Sequence, residues 1–227
     1  MININIPMKM IMNIVILTLM FLKNKLNITN DKDLYNAEME LVAYQTTNLV
    51  QNPIKGNFDF EHLKAIHRRL FEKIYNWAGN PRTCAIAKKD LFSLPQYIDS
   101  YANDIFNKLA EDNYFVTYDY DKKLECLVDL FADINALHPF REGNGRSQRE
   151  FIEELAKIDG IYLDLTPVPK KDMIIASHES INGDYDNLTK MFKKHSKISN
   201  KEEQFYYIEL YILSESLINK LKDIVNN

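Results

Sequence analysis

The sequence predicts a mainly helical domain with one small β-hairpin, on three observations. Apolar residues recur at spacings of three and four over most of the chain, as in Leu63, Ile66, Leu70, Phe71, Ile74 and Trp77. Only one stretch, residues 82–94, alternates instead, around Cys84 and Ile86 and then Leu91 and Phe92. With 6 Gly and 7 Pro among 227 residues, 46% of them hydrophobic, there is little room for linkers and enough apolar side chain for one packed core.

Taken in order, residues 1–29 are set apart by a nearly continuous apolar run from Met10 to Leu22, broken by Asn13 and Thr18. The run is shorter than the roughly 20 residues of a membrane span. It reads as a secretory signal with Lys9 ahead of it but no A-x-A-like cleavage site, as an anchor, as an apolar packing helix, or as sequence preceding a later start at Met20. The domain proper is expected over 30–195. Thr29, Asn30 and Asp31 supply capping chemistry for a first helix with Leu34, Met39, Leu41 and Val42 as its apolar residues. A second helix is expected to run from Phe58 until Gly79 and Pro81 stop it. After the hairpin, Pro95 suits the first turn of a third helix. Leu124, Leu127, Phe131, Ile134 and Leu137 form the stripe of a fourth, with His138 at its end, and a further helix is expected from Arg146. Two more helical segments follow, around 170–195 and 201–225, with 196–227 read as a C-terminal extension.

Lys+Arg 28 against Asp+Glu 32 gives a net charge of −4, which disfavours a generic nucleic-acid surface. Any anion site must therefore be a local concentration of donors. The two cysteines, Cys84 and Cys126, form neither a CxxC pair nor a disulfide framework, so a cytoplasmic, reducing location is the expectation, with a signal or anchor in the apolar run as the alternative.

The donors converge in "HPFREGNGRSQR", residues 138–149. A helix ending at His138, a Gly143-Asn144-Gly145 turn and a new helix make an anion site, because glycines permit positive φ and first-turn amides have no intrahelical partner. Arg146 and Arg149, three apart, share one helix face, and guanidinium groups match phosphate oxygens in a bidentate fork. Glu142 beside that turn would repel a polyphosphate unless a cation lay between them; Mg²⁺, which takes one or two carboxylates plus substrate phosphates, is the natural one. His138 suits a general base at neutral pH. Taken singly, each residue has a plain structural reading: a helix cap, a turn, a solvated arginine pair. Together they provide the parts for moving a phosphorus-centred group. The stretch is not a Walker P-loop, and no second His or Cys stands at zinc-ligand spacing.

Every position of 138–149 matches H-x-F-x-[DE]-G-N-G-R-x-x-R, and the chain thereby resembles the Fic-domain family. The likeness continues upstream through "GNFDFEHLKAIHRRLFEKIYNWAGNPRT" and downstream to "NGDYDNL". The resemblance implies a Fic fold with its hairpin flap beside the active-site loop, and protein adenylylation: AMP passes from ATP to a Ser, Thr or Tyr hydroxyl of a target protein, and of the enzyme itself, with release of pyrophosphate. It implies that His138 is the general base and Glu142 the Mg²⁺ ligand. Gly143, Asn144 and Gly145 would hold the α- and β-phosphates, Arg146 the β- and Arg149 the γ-phosphate, with Phe140 buried as the loop's anchor. Ile86 and Lys88 on the flap would dock the target by strand-like pairing, and Asn182 would contact adenine. An inhibitory [ST]-x-x-x-E-[GN] helix is matched at five of six positions by Ser199 to Glu203, Gln204 breaking the sixth. The alternative for that stretch is a solvated helix N-terminus with favourable acids. Rival readings are another phosphoryl-type transfer or AMP removal on the same scaffold, a non-catalytic nucleotide-binding module, and a toxin held by a small antitoxin-like partner; a homodimer is also open.

Overall fold

A computed structural model of the chain describes residues 22–86 and 92–226. The apolar run, but for Leu22, and Lys88 of the flap lie outside them. No helix among the described residues is long and apolar enough to cross a membrane.

Helix α1 (Asp31–Gln51) starts where Asn30 accepts from the amides of Lys32 and Asp33. Its buried stripe is Leu34, Glu38, Val42, Gln45 and Leu49, whereas Met39 is exposed. Helix α2 (Phe60–Phe71) is capped by Asp59, which accepts from the His62 amide. It ends well before Gly79, contrary to the sequence expectation. The Lys25 amide takes the carbonyl of Ile74 at 2.7 Å and its ammonium that of Glu72 at 2.6 Å, so residues 72–79 turn while Ile74 and Tyr75 stay buried. Then come α3 (Ile98–Glu111), preceded by a 3₁₀ turn at Pro95, and α4 (Tyr120–Leu137), capped by Asp119.

Helix α5 (Asn144–Ile158) is the centre of the molecule, packing against α2, α4 and α8 (Lys201–Tyr211). Phe151, Ile152 and Leu155 on it are fully buried, and truncating Phe151 to Ala would cost about 3–5 kcal/mol. Strand β1 (Ile161–Leu163) pairs antiparallel with β2 (Ser196–Ile198) in the register Ile161–Ile198, Tyr162–Lys197 and Leu163–Ser196. Between these strands lie α6 (Lys170–Ile181) and α7 (Asp186–Lys194), both packed on α4. Helix α9 (Glu215–Asn226) closes the chain.

Among the described residues the small antiparallel sheet sits at 161–163 and 196–198; residues 82–86 and 92–94 form no strand, and 87–91, the middle of the expected hairpin, lie outside the described residues. The helical extension after 195 packs onto the domain. Ile208, Ile212 and Leu221 are buried in the common core, and Leu213 donates to the Gly56 carbonyl at 2.9 Å. An apolar helix face counts as core or extension only once its packing partner is known.

Candidate active site

The end of α4 and the start of α5 meet at one cleft of about 990 Å³. His138 caps α4 in the left-handed region (φ 44, ψ 59), and its amide donates to the Ile134 carbonyl at 3.0 Å. Few non-glycine residues adopt this conformation, so the surroundings must hold it. Arg82 does so: buried, it donates through Nε to the His138 carbonyl at 2.7 Å and through its two Nη atoms to the carbonyls of Cys84 and Ser93. One guanidinium thus ties both ends of the flap segment to the His138 loop. The His138 ring stacks on Phe92 with centroids 3.7 Å apart.

Beyond His138 the loop is pinned from inside. Phe140 is buried, its amide donates to Asn144 Oδ1 at 2.7 Å, and Asn144 Nδ2 donates back to its carbonyl at 2.7 Å. The Asn144 side chain is therefore a staple, and only its first-turn amide is placed for an anion. Gly143 precedes α5 at φ 82, where a Cβ would stand 2.3 Å from the Phe71 ring. At Gly145 a Cβ would meet nothing within 4 Å. Because α5 begins at Asn144, two residues earlier than the sequence suggested, Asn144 and Gly145 contribute helix first-turn amides.

The buried His67 fixes the other side of the turn. The Gly79 amide donates to its Nδ1 at 2.8 Å, so Nε2 carries the proton and donates to the Glu142 carbonyl at 3.0 Å. The ring stacks on Phe140 at 3.8 Å. Burial lowers its pKa to about 3, and Arg146 adds to the effect.

Glu142, Arg146 and Arg149 line the cleft with His138, Gly143 and Gly145. Arg146 lies over the Phe71 ring at 4.7 Å, donates through Nη2 to Glu38 Oε1 at 2.6 Å, and has Glu142 Oε1 at 3.6 Å. Burial lowers the Arg149 pKa, opposed by Glu153 and Glu150. Burial also lifts Glu153 to about 7, although Leu165 donates to it at 2.8 Å. From the far wall Leu165, Val168, Met173, Ile174 and Ile181 supply an apolar end to the cleft. No cluster of three His, Cys, Asp or Glu among the described residues would hold a metal by itself. The half-exposed Glu142 carboxylate at the mouth of the anion site nonetheless fits a cation whose other ligands come with a polyphosphate.

The Fic/DOC family model matches residues 57–156, from the approach to α2 through the motif to the end of α5. The chain belongs to the Fic/DOC family. It is 35% identical over 172 residues to "Protein adenylyltransferase VbhT" of Bartonella schoenbuchensis, an alignment covering 75% of this chain and 36% of that protein. It is 33% identical over 174 residues to "Probable protein adenylyltransferase Fic" of Escherichia coli K12, covering 76% of this chain and 86% of the relative. The chain thus spans about a third of the first relative and most of the second. The crystal structure of BepC from Bartonella tribocorum with bound AMPPNP superposes with a TM-score of 0.76 at 25% identity, covering 83% of this chain and 98% of that one.

In this Fic domain His138, Glu142, Gly143, Gly145, Arg146 and Arg149 line that one cleft, and Asn182, Ser199 and Glu203 do not. Asn182 follows α6, is exposed, and turns its Nδ2 back to the His178 carbonyl at 3.0 Å; Ser177, His178 and Ile181 line the cleft instead. The helix geometry that ends α6 thus takes up the amide expected to reach adenine. Glu203 forms a capping box with Asn200, accepting from its amide at 3.2 Å while its own amide donates to Asn200 Oδ1 at 2.8 Å. Ser199 donates its amide to the Gly160 carbonyl at 2.9 Å. Neither lines the cleft, and Asn200 and Glu203 cap their own helix. Ile86 is half-buried, four residues after Arg82.

Four residues at the site were not singled out from the sequence: Glu38, Tyr75, His67 and Arg82. A glutamate at the buried phase of the α1 stripe was a readable signal for Glu38. The bonds of His67 to the Glu142 carbonyl and of Arg82 to the His138 carbonyl span 75 and 56 positions, and no spacing rule reaches that far.

Proposed function

We propose that this chain is a protein adenylyltransferase that transfers AMP from ATP to a hydroxyl side chain of a target protein and of itself. The observation that carries the reading is the convergence of His138, Glu142, the α5 amides and both motif arginines on one cleft with an apolar far end. Its shape suits a nucleotide, with phosphates on the α5 N-terminus and the base among Met173, Ile174 and Ile181. The acceptor hydroxyl oxygen forms a bond to the α-phosphorus, the bond from that phosphorus to the bridging oxygen breaks, and pyrophosphate leaves. His138 takes the hydroxyl proton, and Arg82 and Phe92 hold its backbone and ring in place. Arg146 and Arg149 bind the leaving phosphates through charge-assisted hydrogen bonds, whose strength in a partly desolvated cleft is the main catalytic resource for such transfers. Glu142 would hold Mg²⁺, which neutralises phosphate charge as it develops. The flap, anchored at Cys84 and Ser93, presents the target segment, with Ile86 and Lys88 as its docking residues.

The test incubates the purified full chain with Mg²⁺ and ATP labelled at the α or the γ phosphate, beside His138→Ala. Label on protein from the α position alone, absent in the variant, is the expected result. Label from the γ position would mean phosphate transfer and sink the reading. Nucleotide bound without label would favour a non-catalytic module. Homodimerisation and a small inhibitory partner are read from the native mass of the chain alone and after co-expression with neighbouring short open reading frames.

A further inference from the structure

We propose that Glu38 is a positioning residue that holds Arg146 against Phe71 and away from Glu142, so that the arginine serves the nucleotide and the carboxylate its cation. This rests on the adenylyltransferase reading above. Two carboxylates compete for one guanidinium: Glu38 Oε1 lies 2.6 Å from Arg146 Nη2 and Glu142 Oε1 lies 3.6 Å from the same atom. Glu38 wins because it is itself fixed. It is buried on α1, and its other oxygen accepts from the Tyr75 hydroxyl. Tyr75 is also buried and stacks on Trp77 with centroids 4.3 Å apart. Burial, followed by that bond to Glu38, raises the Tyr75 pKa, so the phenol remains a donor.

An arginine carries five N–H donors in a rigid fork. The bond to Glu38 engages Nη2, and the Phe71 face sets the plane. With Glu38 removed, Glu142 Oε1, 3.6 Å from Arg146 Nη2, is the carboxylate left within ion-pair distance. The guanidinium would then turn onto the carboxylate needed by the cation, disturbing both functions at once.

Simple charge counting predicts the opposite sign, which makes the idea testable. Removing a negative charge beside an anion site should tighten phosphate binding, whereas losing the positioning contact should weaken it. Binding of ATP and of AMP to the full chain is measured by calorimetry with and without Mg²⁺, for wild type, Glu38→Ala, Glu38→Gln, Arg146→Ala and the Glu38→Ala/Arg146→Ala double variant. Glu38→Ala should weaken Mg·ATP about tenfold, the scale of one charge-assisted hydrogen bond. AMP, which lacks the β-phosphate, should bind as before. Glu38→Gln, which keeps an acceptor oxygen, should fall between, and the double variant should be no weaker than Arg146→Ala. Should Glu38→Ala fail to fold, Tyr75→Phe, which frees the Glu38 carboxylate, should show the same ATP-selective loss on a smaller scale. Unchanged or tighter ATP binding, equal losses for ATP and AMP, or additive single-variant losses would each overturn the proposal. Wild-type protein that bound neither nucleotide would instead overturn the functional reading itself.

Discussion

Two helices present a glutamate that invites comparison with the motif arginines, and they behave in opposite ways. On α8, Glu203 stands at a spacing that resembles an inhibitory signature, yet its carboxylate closes a capping box on its own helix. On α1, Glu38 belongs to no signature, yet it lies 2.6 Å from Arg146. The lesson concerns range. A Glu three residues after an Asn N-cap has a partner within its own turn, and that bond forms wherever the helix goes. A Glu on a buried stripe has no local partner, so the fold must supply one, and here the fold supplies a motif arginine and a tyrosine.

Graded substitutions test how far the two glutamates differ. The largest effect is expected at the residue the whole site serves: His138→Ala should lower AMP transfer by about 10²–10⁴-fold, the range of general-base catalysis, while leaving the melting profile close to wild type. Residual transfer within tenfold of wild type would remove the base from His138.

Next comes the hinge between the two arms of the site. Gly143→Ala places a methyl into Phe71 at a positive φ, and should cost about 1–3 kcal/mol in denaturant unfolding. Because Phe71 also carries the Arg146 guanidinium, ATP binding should weaken with it. Unaltered stability would mean that the turn relaxes freely.

Acid provides the third probe. With a folded-state pKa of about 3 against an ordinary 6.5, His67 takes up a proton more readily when unfolded, so its contribution to stability shrinks as pH falls from 6.5 towards 3. Glu153, lifted to about 7, acts in the opposite sense between 4.5 and 7, so the informative quantity is a difference. The stability gap between wild type and His67→Phe should narrow steadily from pH 7 to pH 4. A gap independent of pH would show that His67 does not hold the Glu142 carbonyl as a neutral donor.

The smallest effect is expected on α8. Glu203→Ala should reduce stability by about 0.5 kcal/mol through loss of half a capping box and leave self-labelling unchanged. A several-fold gain in activity would restore the inhibitory role and dissolve the contrast with Glu38.

Much of this molecule was readable from short-range patterns. Asn30, Asp59 and Asp119 announce helix starts because a side-chain oxygen reaches amides two or three residues on. The stretch from His138 to Arg149 declares a phosphate site because glycines, an acid and paired arginines at that spacing suit little else. Both kinds of information are local, governed by backbone geometry over a single turn. What tertiary packing alone decided is which side chains support that stretch. Arg82 welds the flap ends to His138. His67 carries the Glu142 carbonyl, and Glu38 claims Arg146. Each of these bonds joins groups that water would satisfy equally well in an open chain. They become specific only after the core around Phe151 has closed and removed the water, since a buried donor then has no alternative to the partner the fold has brought to it.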